Sequence, residues 1–162
     1  VKPDLRVDIA GVTFKNPVLT ASGTFGYGEE FADLIDLDAL GGIVTKSITL
    51  HERPGHPPPR TCETAAGMLN AIGLANVGIE RFIDEKIPFL KTLDTVIIVN
   101  VAGSTIGEYV EVCRRLEKAG HVDMIELNVS CPNVDEGGME FGTDEASLIK
   151  VMTAVREVTT RP

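Results

Sequence analysis

Four apolar runs in this 162-residue chain each stop on residues that can hydrogen-bond, carry charge or move a proton. "PVLTASG" closes with Thr20, Ala21, Ser22 and Gly23, and "GGIVTKS" with Thr45, Lys46 and Ser47. "TVIIVNVAG" reaches Asn100, then Ala102 and Gly103, while "MIELNVSCPN" closes with Asn128, Ser130, Cys131, Pro132 and Asn133. Asparagines offer a donor and an acceptor without charge, which suits a heterocycle with alternating N–H and C=O groups. Lys46 adds a fixed positive charge for a carboxylate or a reduced ring. Cys131 adds an acid/base whose pKa can be moved toward neutrality. Together they fit a flat, polar, anionic molecule undergoing proton transfer. The alternative is that they only cap strands and satisfy backbone groups.

The elements that must position these residues alternate along the chain. "LRVDIAGVTF" reads as a short hairpin about Gly11, ahead of the first buried strand. Each of the four apolar runs is then followed by helical spacing. The helices fall in "EEFADLIDLDAL", in "IERFIDEKIPFLKTL" with Pro88 bending or splitting it, in a segment from Thr105 to Gly120, and in "TDEASLIKVMTAVREV". Thr105 and Glu108 form a capping box, and Gly120 stands where a left-handed C-terminal residue belongs. Tyr109, Cys113 and Leu116 share one face of that helix, which makes Cys113 a core residue. Strand–helix alternation with continuously apolar strands predicts an α/β fold with a parallel sheet. Two architectures compete, a TIM (β/α)8 barrel and an open doubly wound sheet. A barrel needs about 250 residues, so four units are either a half barrel or a small open sheet.

The connection from Ile48 to Gly78 is long and has no periodic pattern, as lids and binding loops often are. Its first part is proline-rich. Its second, "GMLNAIGLANVG", interleaves Gly67, Gly73 and Gly78 with Asn70 and Asn76, so that backbone amides can approach a ligand closely. Phosphate-binding motifs of the G-x-G-x-x-G and G-x-x-x-x-G-K-[ST] types are absent. With 24 acidic against 15 basic residues the net charge is −9, which argues against nucleic acid and against anionic membrane surfaces. No run reaches the roughly 18–20 apolar residues of a membrane span. Three cysteines far apart fit neither a disulfide framework nor a zinc site, and a cytoplasmic location with reduced thiols follows as the expectation.

"TKSIT", "NAIGL", "NVAG" and "NVSCPN", in that order and at fitting intervals, resemble class 1 dihydroorotate dehydrogenases, the NAD-linked 1B type above all. The likeness runs the length of the chain, and four motifs in register make it specific. Cysteine in "SCPN" also sets it apart from the membrane-associated class 2 enzymes, whose base is serine. The resemblance implies oxidation of dihydroorotate to orotate in pyrimidine synthesis, on an FMN at the top of a TIM barrel. Matched motif by motif, Ala21, Ser22, Lys46, Ser47, Asn100 and Asn128 would contact the flavin. Lys46, the segment Asn70, Ala71, Ile72, Gly73 and Leu74, and Asn128 with Asn133 would hold the substrate. Cys131 would be the base that removes the C5 proton while hydride leaves C6, with Pro132 stiffening the chain beside it. Electrons would pass to NAD through a partner subunit carrying FAD and an iron–sulfur cluster, and the catalytic subunit would form a homodimer.

Family members continue into a fifth strand with a second flavin lysine and into glycine-rich loops for the FMN phosphate. The resemblance therefore implies that residues 1–162 are the N-terminal half of one FMN-binding barrel domain, with strands one and four as open edges. Two other functions stand beside this one. The first is an inactive fragment or non-enzymatic flavin-binding half barrel. The second is a different flavin or phosphosugar barrel enzyme whose cysteine is structural.

Overall fold

A computed structural model describes residues 3–130 and 141–162. The N-terminal hairpin is as expected: β1 (Val7–Ile9) pairs antiparallel with β2 (Val12–Phe14) through a turn in which Ala10 and Gly11 both have positive φ. The central sheet is parallel, with β3 (Gly42–Val44) beside β6 (Val96–Ala102) and β6 beside β7 (Met124–Asn128).

The first predicted strand is reduced to a single parallel bridge from Leu19 to Gly42. Pairing stops at Thr20, whose hydroxyl accepts from Val44 N (2.9 Å) and donates to Val44 O (3.2 Å), replacing the backbone groups of a continuing strand. Val18 and Leu19 stay exposed, because no strand among the described residues covers this edge. The first predicted helix is absent too. In its place stand two 3₁₀ turns, Glu29–Phe31 and Leu37–Ala39. Asp36 breaks the run by accepting from Asp38 N (3.1 Å), the capping role that suits aspartate better than a helix interior.

Pro88 does split its helix. Between α1 (Gly78–Arg81) and α2 (Ile87–Leu90) lies a π turn, Phe82–Lys86, in which Ile87 N bonds back to Phe82 O. The wider turn gives the proline ring room and absorbs its missing donor. In α3 (Ile106–Ala119), Thr105 caps Glu108 N, and Gly120 (φ 69°) ends the helix. The Glu108 carboxylate reaches back to Ser104 N (2.6 Å), one residue before the cap. Asp144 caps α4 (Glu145–Arg156) by accepting from Ser147 N (2.8 Å). The connection expected to be structureless instead holds an exposed hairpin, β4 (Thr61–Thr64) with β5 (Gly67–Asn70). Its alternating pattern is hidden, because both faces meet solvent and no apolar periodicity is required.

Strand order decides between the two architectures. A doubly wound sheet reverses its order at a switch point and carries helices on both faces. Here the strands lie in chain order: the Leu19 bridge, β3, β6, β7, and then Pro162, whose carbonyl accepts from Ile125 N (2.9 Å) on the free edge of β7. One face, Ile43, Ile97, Val99 and Val101, packs against Ile79, Phe82 and Leu90, against Tyr109, Val112, Cys113 and Leu116 of α3, and against Val151 and Val155 of α4. The fold is an open, partial (β/α) barrel. Its other face is the barrel interior, and it is layered. At the amino end Phe14 of the hairpin seals a small apolar layer with Val44, Val96 and Ile98. At the carboxyl end the same face carries Asn100, Glu126 and Asn128, on adjacent strands at successive register positions.

Candidate functional site

A parallel strand offers every second side chain to the interior, so two consecutive residues cannot both face inward without a break in the ladder. β3 supplies that break. From Val44 opposite Ile98 to Ile48 opposite Val101, it advances four residues against three on β6. Lys46 N leaves the ladder to bond Gly26 O (2.7 Å), while Thr45 N and Ile48 N still pair with Ile98 O and Asn100 O (both 2.9 Å). The bulge turns Lys46 and Ser47 toward the same pocket.

That pocket, about 280 Å³, is lined by Ser22 and Gly23, Lys46 and Ser47, Asn70, the run Ile72–Ala75, and Asn128. A second of about 280 Å³ adjoins it through Ser22 and Asn128 and adds Asn100, Glu126, Leu127, Val129 and Ser130. Together they fall within the roughly 300–1,000 Å³ of small-molecule clefts. Of the predicted residues, Ser22, Lys46, Ser47, Asn70, Ile72, Gly73, Leu74, Asn100 and Asn128 are brought together. Ala21 and Ala71 are not on these walls. Ala21 is exposed and its carbonyl accepts from Thr24 N (3.1 Å). Ala71 is tied by its backbone to Arg60 O (2.8 Å) and to the His56 ring (3.0 Å). Cys131 and Asn133 lie outside the described residues.

The polar groups are held with care. Asn128 Nδ2 donates to Ser47 Oγ (3.4 Å), its Oδ1 accepts from Ser130 Oγ (3.0 Å), and its carbonyl accepts from the buried Tyr109 hydroxyl (2.6 Å). Lys46 is half-buried, and among the described residues no carboxylate stands within ion-pair distance of it. Asn100 is 3% exposed; its Nδ2 donates to Glu126, and its Oδ1 has no partner among the described residues. In a chain of net charge −9, two adjoining pockets that hold a lysine and an amide oxygen, neither with a partner among the described residues, are a ligand's environment.

Sequence reasoning named Asn76 as part of the glycine-rich run but missed how it and Tyr27 fasten the loop. Asn76 is buried, and its Oδ1 accepts from Thr49 N (3.2 Å) and Gly78 N (2.9 Å). Its Nδ2 donates to Leu74 O (2.8 Å) and Thr49 Oγ1 (2.9 Å), pinning the glycine-rich run to the end of β3. Gly73 (φ 72°) and Leu74 (φ 56°) there take left-handed backbone. The Tyr27 hydroxyl accepts from Val77 N (3.3 Å), and burial pushes its pKa above the ordinary value. Glu126 was also missed; its signal was a lone charge inside the apolar run "MIELNV". The largest cleft, about 580 Å³, lies at the opposite end of the sheet, among Arg6, Lys15, Val96 and Asp123, and gathers none of the predicted residues.

An amide, hydroxyl and lysine set at the carboxyl ends of parallel strands defines the class, a (β/α)-barrel protein with its candidate site where such folds bind ligands. The chain belongs to the dihydroorotate dehydrogenase family, whose model matches residues 4–162. It is 54% identical over 161 residues to the dihydroorotate dehydrogenase B (NAD(+)) catalytic subunit of Geobacter sulfurreducens, covering 99% of this chain and 53% of the relative. The protein of the same name from Pelobacter propionicus is 55% identical over 162 residues, 100% of this chain and 53% of the relative. That from Petrotoga mobilis is 53% identical over 159 residues, 98% of this chain and 53% of the relative. The chain thus spans about half the length of the curated relatives it matches. No helix among the described residues is long and apolar enough to cross a membrane.

Proposed function

We propose that this chain supplies the ring-binding side of a cytoplasmic FMN-dependent dihydroorotate dehydrogenase of the NAD-linked type. One observation carries the proposal. Ser22, Lys46, Ser47, Asn70, Ile72–Leu74 and Asn128, taken from four separate strand ends and loops, surround one pocket. The residues fit an isoalloxazine, because Asn100 in the adjoining pocket keeps a buried acceptor, unpartnered among the described residues, that a ring N–H would satisfy. Ser22, Lys46, Ser47, Asn100 and Asn128 would hold FMN, which supplies a two-electron acceptor when bound. Residues 1–162 are, on this reading, the first half of a single FMN-binding barrel domain.

The chain's own residues bind and orient the substrate. Lys46 lines the pocket without a counter-ion among the described residues and offers its charge to the substrate carboxylate, which offsets the repulsion an anion meets from an acidic protein. Asn70 and the backbone of Ile72–Leu74 meet the ring edge, and Asn128, fixed from three sides, sets its tilt. Cys131, three residues beyond Asn128, is the base that takes the C5 proton, and Asn133 completes the substrate contacts. Electrons then pass to NAD through an FAD and iron–sulfur subunit bound to a homodimer of the catalytic subunit, in keeping with the "catalytic subunit" of the relatives' names.

The test is the visible absorption spectrum of the purified protein, with and without orotate. A flavin band that shifts on adding orotate is the expected result. A colourless protein that also takes up no added FMN would refute the proposal. Cys131→Ala then separates base from scaffold: it should abolish turnover and keep the flavin.

A further inference from the structure

Among the described residues Glu126 is the one carboxylate on the wall of the pocket that holds Asn100, and nothing in the reaction as described uses it. It stands directly opposite Asn100 in the β6–β7 register, on the wall of the pocket that both share with Asn128. A carboxamide can present either its NH2 or its oxygen in a given direction, and the neighbours decide which. A carboxylate only accepts. Asn100 Nδ2 donates to Glu126 Oε1, so the amide nitrogen is committed to β7 and the oxygen is turned away from it. That oxygen is buried and, among the described residues, without a partner. Buried acceptors of this kind are uncommon and unfavourable until something donates to them.

We propose that Glu126 is a positioning residue that fixes the polarity of the flavin site. By holding the Asn100 amide nitrogen, it leaves Asn100 Oδ1 as an obligatory acceptor for a ring N–H of the bound flavin. The inference rests on the flavin reading above and deepens it. Without Glu126 the amide is free to turn, and donor and acceptor orientations compete at that point, which weakens the site's preference for a ligand N–H. With glutamine in its place the lock is loosened, because a second amide can face Asn100 either way.

The experiment compares FMN with its N3-methyl analogue, in which the only ring N–H of the oxidised flavin is replaced. Dissociation constants are measured by fluorescence titration of flavin-stripped protein, expressed from its full gene. The set comprises the parent, Glu126→Leu, Glu126→Gln, Asn100→Leu and the Glu126→Leu/Asn100→Leu double variant. The parent should prefer FMN by about tenfold or more, the worth of one buried hydrogen bond. The preference should fall in Glu126→Gln, fall at least as far in Glu126→Leu, and vanish in Asn100→Leu, with no further loss in the double variant. Full preference retained in both Glu126 variants would overturn the inference, as would a Glu126→Leu effect that persists without Asn100. If the parent binds neither flavin, the flavin reading itself falls and takes this inference with it. A merely structural Glu126 would weaken both ligands equally and leave their ratio unchanged.

Discussion

Replacing Asn76 by alanine should unfasten the loop that carries half of the pocket wall. Asn76 Oδ1 accepts from Thr49 N at 3.2 Å and from Gly78 N at 2.9 Å, and its Nδ2 donates to Leu74 O at 2.8 Å and to Thr49 Oγ1 at 2.9 Å. The Thr49 hydroxyl has a single proton, which goes to His51 O at 2.6 Å, so it serves Asn76 as an acceptor. The site is 7% exposed, and water cannot readily replace what is lost. Two buried N–H groups left unpaired cost about 1–3 kcal/mol each, and allowing for partial relaxation the loss should be about 2–4 kcal/mol. That is a large share of the roughly 5–15 kcal/mol that holds a domain together. Urea unfolding followed by circular dichroism reads it directly; at a slope of about 2 kcal/mol per molar the midpoint should fall by about 1–2 M. Asn76→Asp keeps both acceptor bonds but sets a buried carboxylate oxygen against the Leu74 carbonyl, so it should not restore parental stability near neutral pH. Orotate affinity should weaken in both variants, because Leu74 and Gly73 line the pocket. A midpoint for Asn76→Ala within about 0.2 M of the parent, at an unchanged slope near 2 kcal/mol per molar, would refute the reasoning.

Tyr109→Phe removes the hydroxyl that holds Asn128 O at 2.6 Å; it should cost about 1 kcal/mol in thermal or urea unfolding and loosen flavin binding, read by fluorescence titration. Gly73→Ala places a Cβ 2.7 Å from His56 N at a φ of +72°, so a loss of about 1–3 kcal/mol and weaker orotate binding are expected in the same assays. Burial pushes the Cys113 thiol from 9.0 up to about 12. The folded state keeps it neutral where the unfolded chain ionises, so its stabilising contribution is complete below pH 9 and is lost as pH rises from there toward 12. Within that window unfolding free energy should drop by about 1.4 kcal/mol per pH unit more in the parent than in Cys113→Ala. Equal slopes for the two proteins would count against it. A thiol reagent near neutral pH should reach the exposed Cys62 and spare Cys113 in the native state, as mass spectrometry would show.

The elements legible from sequence were those whose signals are local. The Thr105 cap, the Gly120 stop, the Pro88 break and the Ala10–Gly11 turn each depend on a side chain acting within about one turn of itself. So do the apolar strands, whose polar endings gave the site residues their identity. The fates of "PVLTASG" and "EEFADLIDLDAL" were not legible, because one depends on an edge without a neighbour and the other on an aspartate capping a turn instead of filling a helix. The hairpin at Thr61–Asn70 could not be read either, since both its faces are wet.

Sequence by itself determined the α/β class, the family and the chemical types at the strand ends. Tertiary structure alone decided that the strands lie in chain order with the helices on one face, and hence that the sheet curls as a barrel instead of winding both ways. It also decided which ends share a pocket. The bulge after Val44 that aims both Lys46 and Ser47 inward, the Asn76 clamp and the pairing of Asn100 with Glu126 depend on register between strands far apart in sequence. Register is set by the packing of whole faces, and no window of neighbouring residues contains it.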